Sequence, residues 1–399
     1  MKRKRSKLTK TAVALIMIGA LMSIMDVYFH TFLVARFYEL ASNSTEVIAK
    51  YYIRVYIMIA FSFVIFGNFS KKHSKATLRT GIVLNAVVLI LIMFLEERVI
   101  EYYQVLAIIF GLAQGCYYSP ISNLIGINTS NEEGSVIKEY CTASSITVSI
   151  VSIVFPVTIG AYLNVASFTK MTGFVLILIA VQIMITFFIK DAKEEPKKYN
   201  LKAFIKKVRE TREGKAVKNF YKISFCNGIV TSVLDRIVTI LILMLYETSF
   251  NLGVLSTIFA FSSVIITWSV RRFYKPERMK KAVIVAAIVP SIVVIIFAMN
   301  VTRGTFIVYK LVSAVFICIL TTLSGYARYE SLDKIVFSGF DAEHQSLTEM
   351  FLAAGRVSGF CALLMCSRVF VGILALQIFL VVIGAVIVAY SRYIYKTIK

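Results

Sequence analysis

A few ionisable side chains fall inside stretches that are otherwise apolar, where a charge is expensive enough to need a reason. Asp26 stands near the middle of the first stretch, and His30 follows four residues later on the same helical face. An Asp–His pair at that spacing can take up and give back a proton near neutral pH. The bland alternative is a structural polar contact between helices. Asp235 and Arg236 are adjacent in the seventh stretch. Neighbours on a helix diverge by about 100°, so one is expected to face a cavity and the other a neighbouring helix. Arg356, at similar depth in the eleventh stretch, is the expected partner of Asp235, most simply as a structural charge pair. Glu139 opens the fifth stretch, and Lys310 in the tenth is more cavity-prone than Lys222 in the seventh. Asp26, His30, Glu139, Asp235, Arg236 and Arg356 are therefore the candidates for carrying a proton or balancing charge.

Catalytic chemistry is not signalled. The chain contains no P-loop, no HExxH and no GxSxG. Its six cysteines (Cys116, Cys141, Cys226, Cys318, Cys361 and Cys366) are scattered through apolar runs without a CxxC, so buried free thiols are expected rather than disulfides or a metal site. No cofactor is expected.

The elements that must position these groups are long apolar helices. Of the 399 residues, 58% are hydrophobic. They cluster in runs of roughly 20 residues or more, the length that crosses about 30 Å of hydrocarbon. Spans are expected at about 11–38, 47–69, 76–95, 102–127, 137–163, 169–189, 219–245, 250–270, 281–300, 304–327, 346–368 and 370–391. The end of the tenth is the least secure, because Arg328, Glu330, Asp333 and Lys334 intrude. The basic start at residues 1–10 imitates a secretory signal, but the run behind it is too long and no small-x-small site closes it. It is expected to remain as the first span.

Charge tests that layout. In a soluble chain a formal charge of +22 suggests nucleic acid; here it is read as topology. Twelve spans place both termini on one side. The basic tail, Lys71, Lys72, Lys75 and Arg79 after span 2, the central loop, and Arg271, Arg272, Lys275, Arg278, Lys280 and Lys281 after span 8 all fall there. The opposite loops carry Glu39, Glu46, Glu96, Glu97 and Glu247. Both termini are thus expected in the cytoplasm, with the chain in the plasma membrane and no nucleic-acid partner. Tyr51, Tyr52 and Tyr56, with Arg54, fit an aromatic belt near the outer interface.

Residues 190–218 divide the chain into an 11–189 bundle and a 219–399 bundle. Within that linker Leu201, Phe204, Ile205 and Val208 recur at helical spacing between Lys202, Lys206, Lys207 and Arg209, which predicts an amphipathic helix on the anionic inner leaflet. The halves echo each other weakly. Asp26 matches Asp235 at an offset of 209, while Gly115 meets Gly325 and Glu139 meets Glu349 at 210. Two parallel six-helix repeats leave such traces. Gly111-x-x-x-Gly115 and Gly355-x-x-x-Gly359 permit close helix approach.

Six plus six helices, a basic central loop and basic loops after spans 2 and 8 resemble the major facilitator superfamily over the whole chain. Its usual loop motif is G-x-x-x-D-R-x-G-R-R; this chain reads Gly67-Asn68-Phe69-Ser70-Lys71-Lys72-His73-Ser74-Lys75-Ala76. Gly67, Lys72 and Lys75 keep their places as the candidate gating loop, whereas Lys71 replaces the acid of the family's cytoplasmic latch and Ser74 the second glycine. The pattern is that of a divergent, bacterial-type member. The resemblance implies an all-α membrane fold of two pseudo-symmetric six-helix bundles, with spans 1, 4, 7 and 10 around a central cavity. On that footing Gln114, Tyr117, Tyr118 and Asn123 of span 4, with Asp26 and Lys310, are the candidate substrate contacts. The expected function is secondary transport of a small solute by alternating access. Proton-coupled export of an amphipathic or cationic compound by a monomer is the first expectation, and a transporter-like receptor or assembly factor without net flux the alternative.

Overall fold

The structure, a computed structural model, describes residues 8–129, 135–191, 199–246, 248–273, 279–332, 339–370 and 373–397. Among them lie twelve helices long and apolar enough to cross a membrane: Lys10–Leu40, Thr45–Ile65, Ser74–Ile100, Tyr103–Thr129, Glu139–Val165 and Phe168–Phe188, then Gly214–Tyr246, Phe250–Ser269, Met279–Met299, Arg303–Gly325, Asp341–Val369 and Leu374–Tyr395. They are numbered span 1 to span 12 in that order. Every expected span is present. The tenth helix runs on to Leu332, through the charges that made its end insecure, while Asp333 and Lys334 lie outside the described residues. So do Lys275 and Arg278 of the loop after span 8.

The chain forms two compact units. One comprises residues 1–40, 58–198 and 248–257; the other comprises 41–57, 199–247 and 258–399. Within each, helices approach through small residues, since lipid offers no hydrophobic drive for helices to associate. In the first unit a side chain at Gly115 would collide with Ser62, and one at Gly81 would come within 2.8 Å of the Ala113 carbonyl oxygen. In the second, Gly228 lies against the Leu352 carbonyl and Gly355 against that of Phe225, so spans 7 and 11 nearly touch backbone to backbone. Large apolar side chains such as Phe94, Val165 and Trp268 remain exposed, as lipid-facing positions require.

Local departures from regular helix occur in spans 1, 5 and 7. Span 1 contains a π-helical turn at Tyr28–Phe32, and span 7 another at Gly228–Val233. Such turns admit an extra residue and recur at functional sites. In span 5, Pro156 cannot donate to the helical ladder. There Thr257 places its hydroxyl between two ladder groups, donating to the Ile153 carbonyl at 2.8 Å and accepting from the Val157 amide at 3.2 Å.

The linker helix forms at Leu201–Glu210, capped by the Asn200 side chain on the Ala203 amide. Its apolar stripe does not all face outward to a leaflet. Phe204 and Val208 are buried, and Phe204 stacks on Phe340 beside His344. Glu343, itself buried, accepts from the Asn200 amide at 2.8 Å. Burial raises the neighbouring Tyr199 phenol above its ordinary range, opposed by Ser346 and reinforced by the charge of Glu343.

Candidate functional site

In the first unit, the π turn of span 1 begins two residues after Asp26. Tyr28 anchors that region from the other face by hydrogen-bonding Thr172 of span 6. Asp26 Oδ2 accepts from the Tyr118 hydroxyl of span 4 at 2.7 Å, and Asp26 Oδ1 lies 3.9 Å from His30 Nε2. The carboxylate is about one-third exposed and the imidazole nearly covered, with Phe110 edge-on to it. Acid, imidazole and phenol thus form one cluster, with the phenol hydrogen-bonded to the acid and the imidazole beside it.

The other span 4 candidates separate by role. Tyr117 is buried and donates to the Ile18 carbonyl at 3.3 Å, an oxygen that also receives Gln182 Nε2 at 3.0 Å. Gln114 is buried as well, and its Nε2 has no hydrogen-bond partner among the described residues. Asn123 is tied elsewhere, donating to Ser74 Oγ at 2.6 Å where span 3 begins. That bond makes it a helix tie rather than part of the Asp26 group. Glu139 is half-buried near the start of its helix.

In the second unit, Asp235 follows the π turn of span 7 and pairs with Lys310 of span 10 at 3.3 Å. This corrects the expected Asp235–Arg356 pair. Arg356 instead donates from Nε to Ser232 Oγ at 2.9 Å, lies 3.9 Å from Glu349 and covers the Tyr56 ring at 4.8 Å. The two side chains point to different partners. Arg236 diverges from Asp235 as adjacent helical residues must, and its guanidinium lies 5.8 Å from the centre of the Tyr52 ring.

A second correction concerns those tyrosines. Tyr51, Tyr52 and Tyr56 are buried in protein, not spread along an interface, and Phe360 stacks on both Tyr52 and Tyr56. Residue type alone did not mark them as site neighbours, because a tyrosine suits a lipid headgroup and a buried guanidinium equally well. The clue in the sequence was two arginines at matching depth in spans 7 and 11.

Around Asp235 and Lys310 opens a cavity of about 230 Å³, lined also by Ser263, Thr267, Ser313 and Thr321. The second unit therefore has a hollow of mixed lining with one balanced charge pair, Leu234, Val238, Ala314 and Ile317 completing its wall. Among the described residues no group of three or more His, Cys, Asp or Glu is placed to hold a metal ion. The six thiols are free; Cys116 and Cys226 are buried as expected, whereas Cys318, Cys361 and Cys366 are half-buried and Cys141 is exposed.

At the degenerate loop, Gly67 is buried at the start of the short helix Gly67–Lys72, and Lys72 is exposed. Lys75 closes the end of span 6, donating from Nζ to the Ile189 carbonyl at 2.9 Å and from its amide to Asp191 at 3.4 Å. Arg79 adds a bond to Thr186 and lies over the Phe187 ring. Cations here satisfy carbonyls at a helix C-terminus, and Asp191 supplies a carboxylate that the loop itself lacks.

Comparison with known proteins places this geometry. The family profile described as Major Facilitator Superfamily matches residues 12–332. No curated protein sequence matches significantly. Among solved structures, the nucleoside transporter NupG superposes with a TM-score of 0.72 at 12% identity, covering 98% of this chain and all of its own. A peptide transporter POT in complex with sulfate gives 0.74 at 12% identity, over 96% of this chain and 93% of that one. The human organic anion transporter MFSD10 (TETRAN) gives 0.60 at 11%, over 96% and 99%. At these identities the likeness is one of fold.

Proposed function

The chain belongs to the major facilitator superfamily, and from that premise we propose that it is a proton-coupled secondary transporter of a small polar solute. It is a multi-pass membrane protein of a transporter family whose solved relatives, by name, carry nucleosides, peptides and organic anions. The fold therefore leaves the solute to be argued from side chains.

The observation that carries the reading is the Asp26 group. A carboxylate held at 2.7 Å by a phenol and 3.9 Å from an imidazole, beside a π turn, has what a coupling site needs. It can be protonated and deprotonated, and its surroundings change with helix geometry. Gln114, with an unused buried amide nitrogen in the same unit, is the accompanying solute contact. Alternating access in the plasma membrane, with both termini in the cytoplasm and one chain as the working unit, completes the proposal; the basic loops support that orientation.

Export is the first expectation, from the several acids available to carry a proton, and direction is read directly. Purified protein in liposomes is given an inward or an outward proton gradient, and solute movement is followed in each case. Accumulation that reverses with the gradient supports coupled transport. Solute binding without movement under either gradient supports the receptor reading instead.

A further inference from the structure

We propose that the hollow in the second unit is a binding site for a zwitterion of amino-acid size, its ammonium taken by Asp235 and its carboxylate by Lys310. The proposal rests on the transporter reading and names the class of solute that reading left open.

Volume limits the ligand. The hollow measures about 230 Å³, room for a ligand of amino-acid size. That is below the range of about 300–1,000 Å³ typical of drug-sized sites.

Charge limits it further. Asp235 and Lys310 meet through a single contact at 3.3 Å. A carboxylate has about four acceptor positions and an ammonium three donors, so the pair leaves most of both unused. The Asp235 side chain is 64% exposed and the Lys310 side chain 20%, which leaves the acid open to the hollow in a way that a purely structural pair would not. The two charges balance each other. A singly charged solute that takes one partner breaks the pair and leaves the other charge uncompensated, a cost that falls mainly on the more covered Lys310. A zwitterion compensates both, and the four charges alternate in sign.

The wall is mixed. Leu234, Val238, Ala314 and Ile317 share it with Ser263, Thr267, Ser313 and Thr321. The Ser263, Thr267 and Thr321 hydroxyls donate to carbonyls of their own helices and keep a lone pair to accept from a ligand ammonium. Ser313 is 3% exposed, and its Oγ has the Tyr309 phenol near it but no hydrogen bond of good geometry among the described residues. That hydroxyl can turn between the phenol and a ligand polar atom. Arg236, the cation next to Asp235 in the chain, is directed at Tyr52, so Lys310 is the cation that faces a bound carboxylate.

The test uses binding, which does not depend on flux. Purified full-length protein is heated with β-alanine, with the standard α-amino acids, and with propionate and propylammonium as the two halves, at equal ionic strength. A ligand that binds only the folded state raises the midpoint. At least one zwitterion is expected to raise it by several degrees, while neither half moves it. Asp235→Asn should then admit propionate, and Lys310→Gln should admit propylammonium, each with at least a tenfold gain over wild type. Should a variant not fold, the wild-type comparison of zwitterion against halves still decides. A midpoint unmoved by every zwitterion, or moved as far by either half, overturns the proposal. Binding without flux in liposomes would remove transport and keep the site. Flux of a charged solute through a protein blind to zwitterions would do the reverse.

Discussion

The Tyr118 hydroxyl donates to Asp26 Oδ2 at 2.7 Å, joining span 4 to span 1 through the one acid that span 1 carries within its apolar core. Hydrogen bonds to charged groups contribute about 1.5–3 kcal/mol, so this bond holds the carboxylate's position as well as its charge. Asp26→Asn keeps the shape and removes the titration. The variant is expected to exchange solute across liposomes at a rate near wild type yet fail to concentrate it under an imposed proton gradient. Tyr118→Phe should retain concentration and lower the rate roughly tenfold. An Asp26→Asn protein that accumulates solute as well as wild type would make Asp26 structural.

The Asp235–Lys310 contact predicts non-additive stability. Lys310→Ala and Asp235→Ala should each lower the unfolding midpoint, and the double variant should recover about 0.5–3 kcal/mol relative to their sum. Arg356→Ala, whose contacts are Ser232, Glu349 and Tyr56, should add to Asp235→Ala without recovery. Thermal denaturation of these single and double variants checks both statements.

Helix approach gives a sharper contrast. At Gly355 any side chain meets the Phe225 carbonyl, whereas at Gly126 nothing lies within 4 Å. Gly355→Val should therefore yield little or no folded protein on size-exclusion chromatography. Gly126→Ala should fold normally and gain about 0.5–1 kcal/mol, the usual benefit of alanine over glycine inside a helix.

The linker helix is expected to depend on the second unit for its structure. Phe204→Ala removes a buried ring stacked on Phe340, and core changes of this kind cost about 3–5 kcal/mol. Limited proteolysis should then cut near residues 201–210 at least tenfold faster, with the spans left intact. Equal cleavage rates would show that the helix stands alone.

Topology is checked in intact cells. A cysteine at Ser44, between spans 1 and 2, should react with an impermeant thiol reagent, and one at Ala203 should not. The opposite pattern would invert the proposed orientation.

The number and limits of the spans were legible because length and apolarity suffice to define them. The prominence of Asp26, Asp235 and Lys310 was legible for the same reason: a charge among apolar residues stands out. Partnership was not. Arg356 and Lys310 both lie within apolar stretches, and choosing between them requires the direction in which Asp235 points. Regular counting at 100° per residue fails across the π turn at Gly228–Val233, which ends immediately before the Leu234–Tyr246 segment. The tyrosines of span 2 failed differently. Their chemistry suits a headgroup or an arginine, and only packing against Phe360 distinguishes the two.

The hydroxyl of Thr257 gives span 5 a property that an unbroken helix lacks. A ladder bond between a backbone amide and carbonyl can only be made or lost, and losing it away from water is costly. Between Ile153 and Val157 a side-chain oxygen stands in as a third party, bonded to both. With the hydroxyl in this place, the Ile153 carbonyl and the Val157 amide each keep a partner even where their own ladder bond is stretched. Pro156 marks where such a joint falls, and Gly253, pressed against the Pro156 carbonyl, keeps the two segments close enough for the hydroxyl to reach. Replacing Thr257 by valine would keep the bulk and remove that joint, leaving a helix that bends only at the expense of its own ladder.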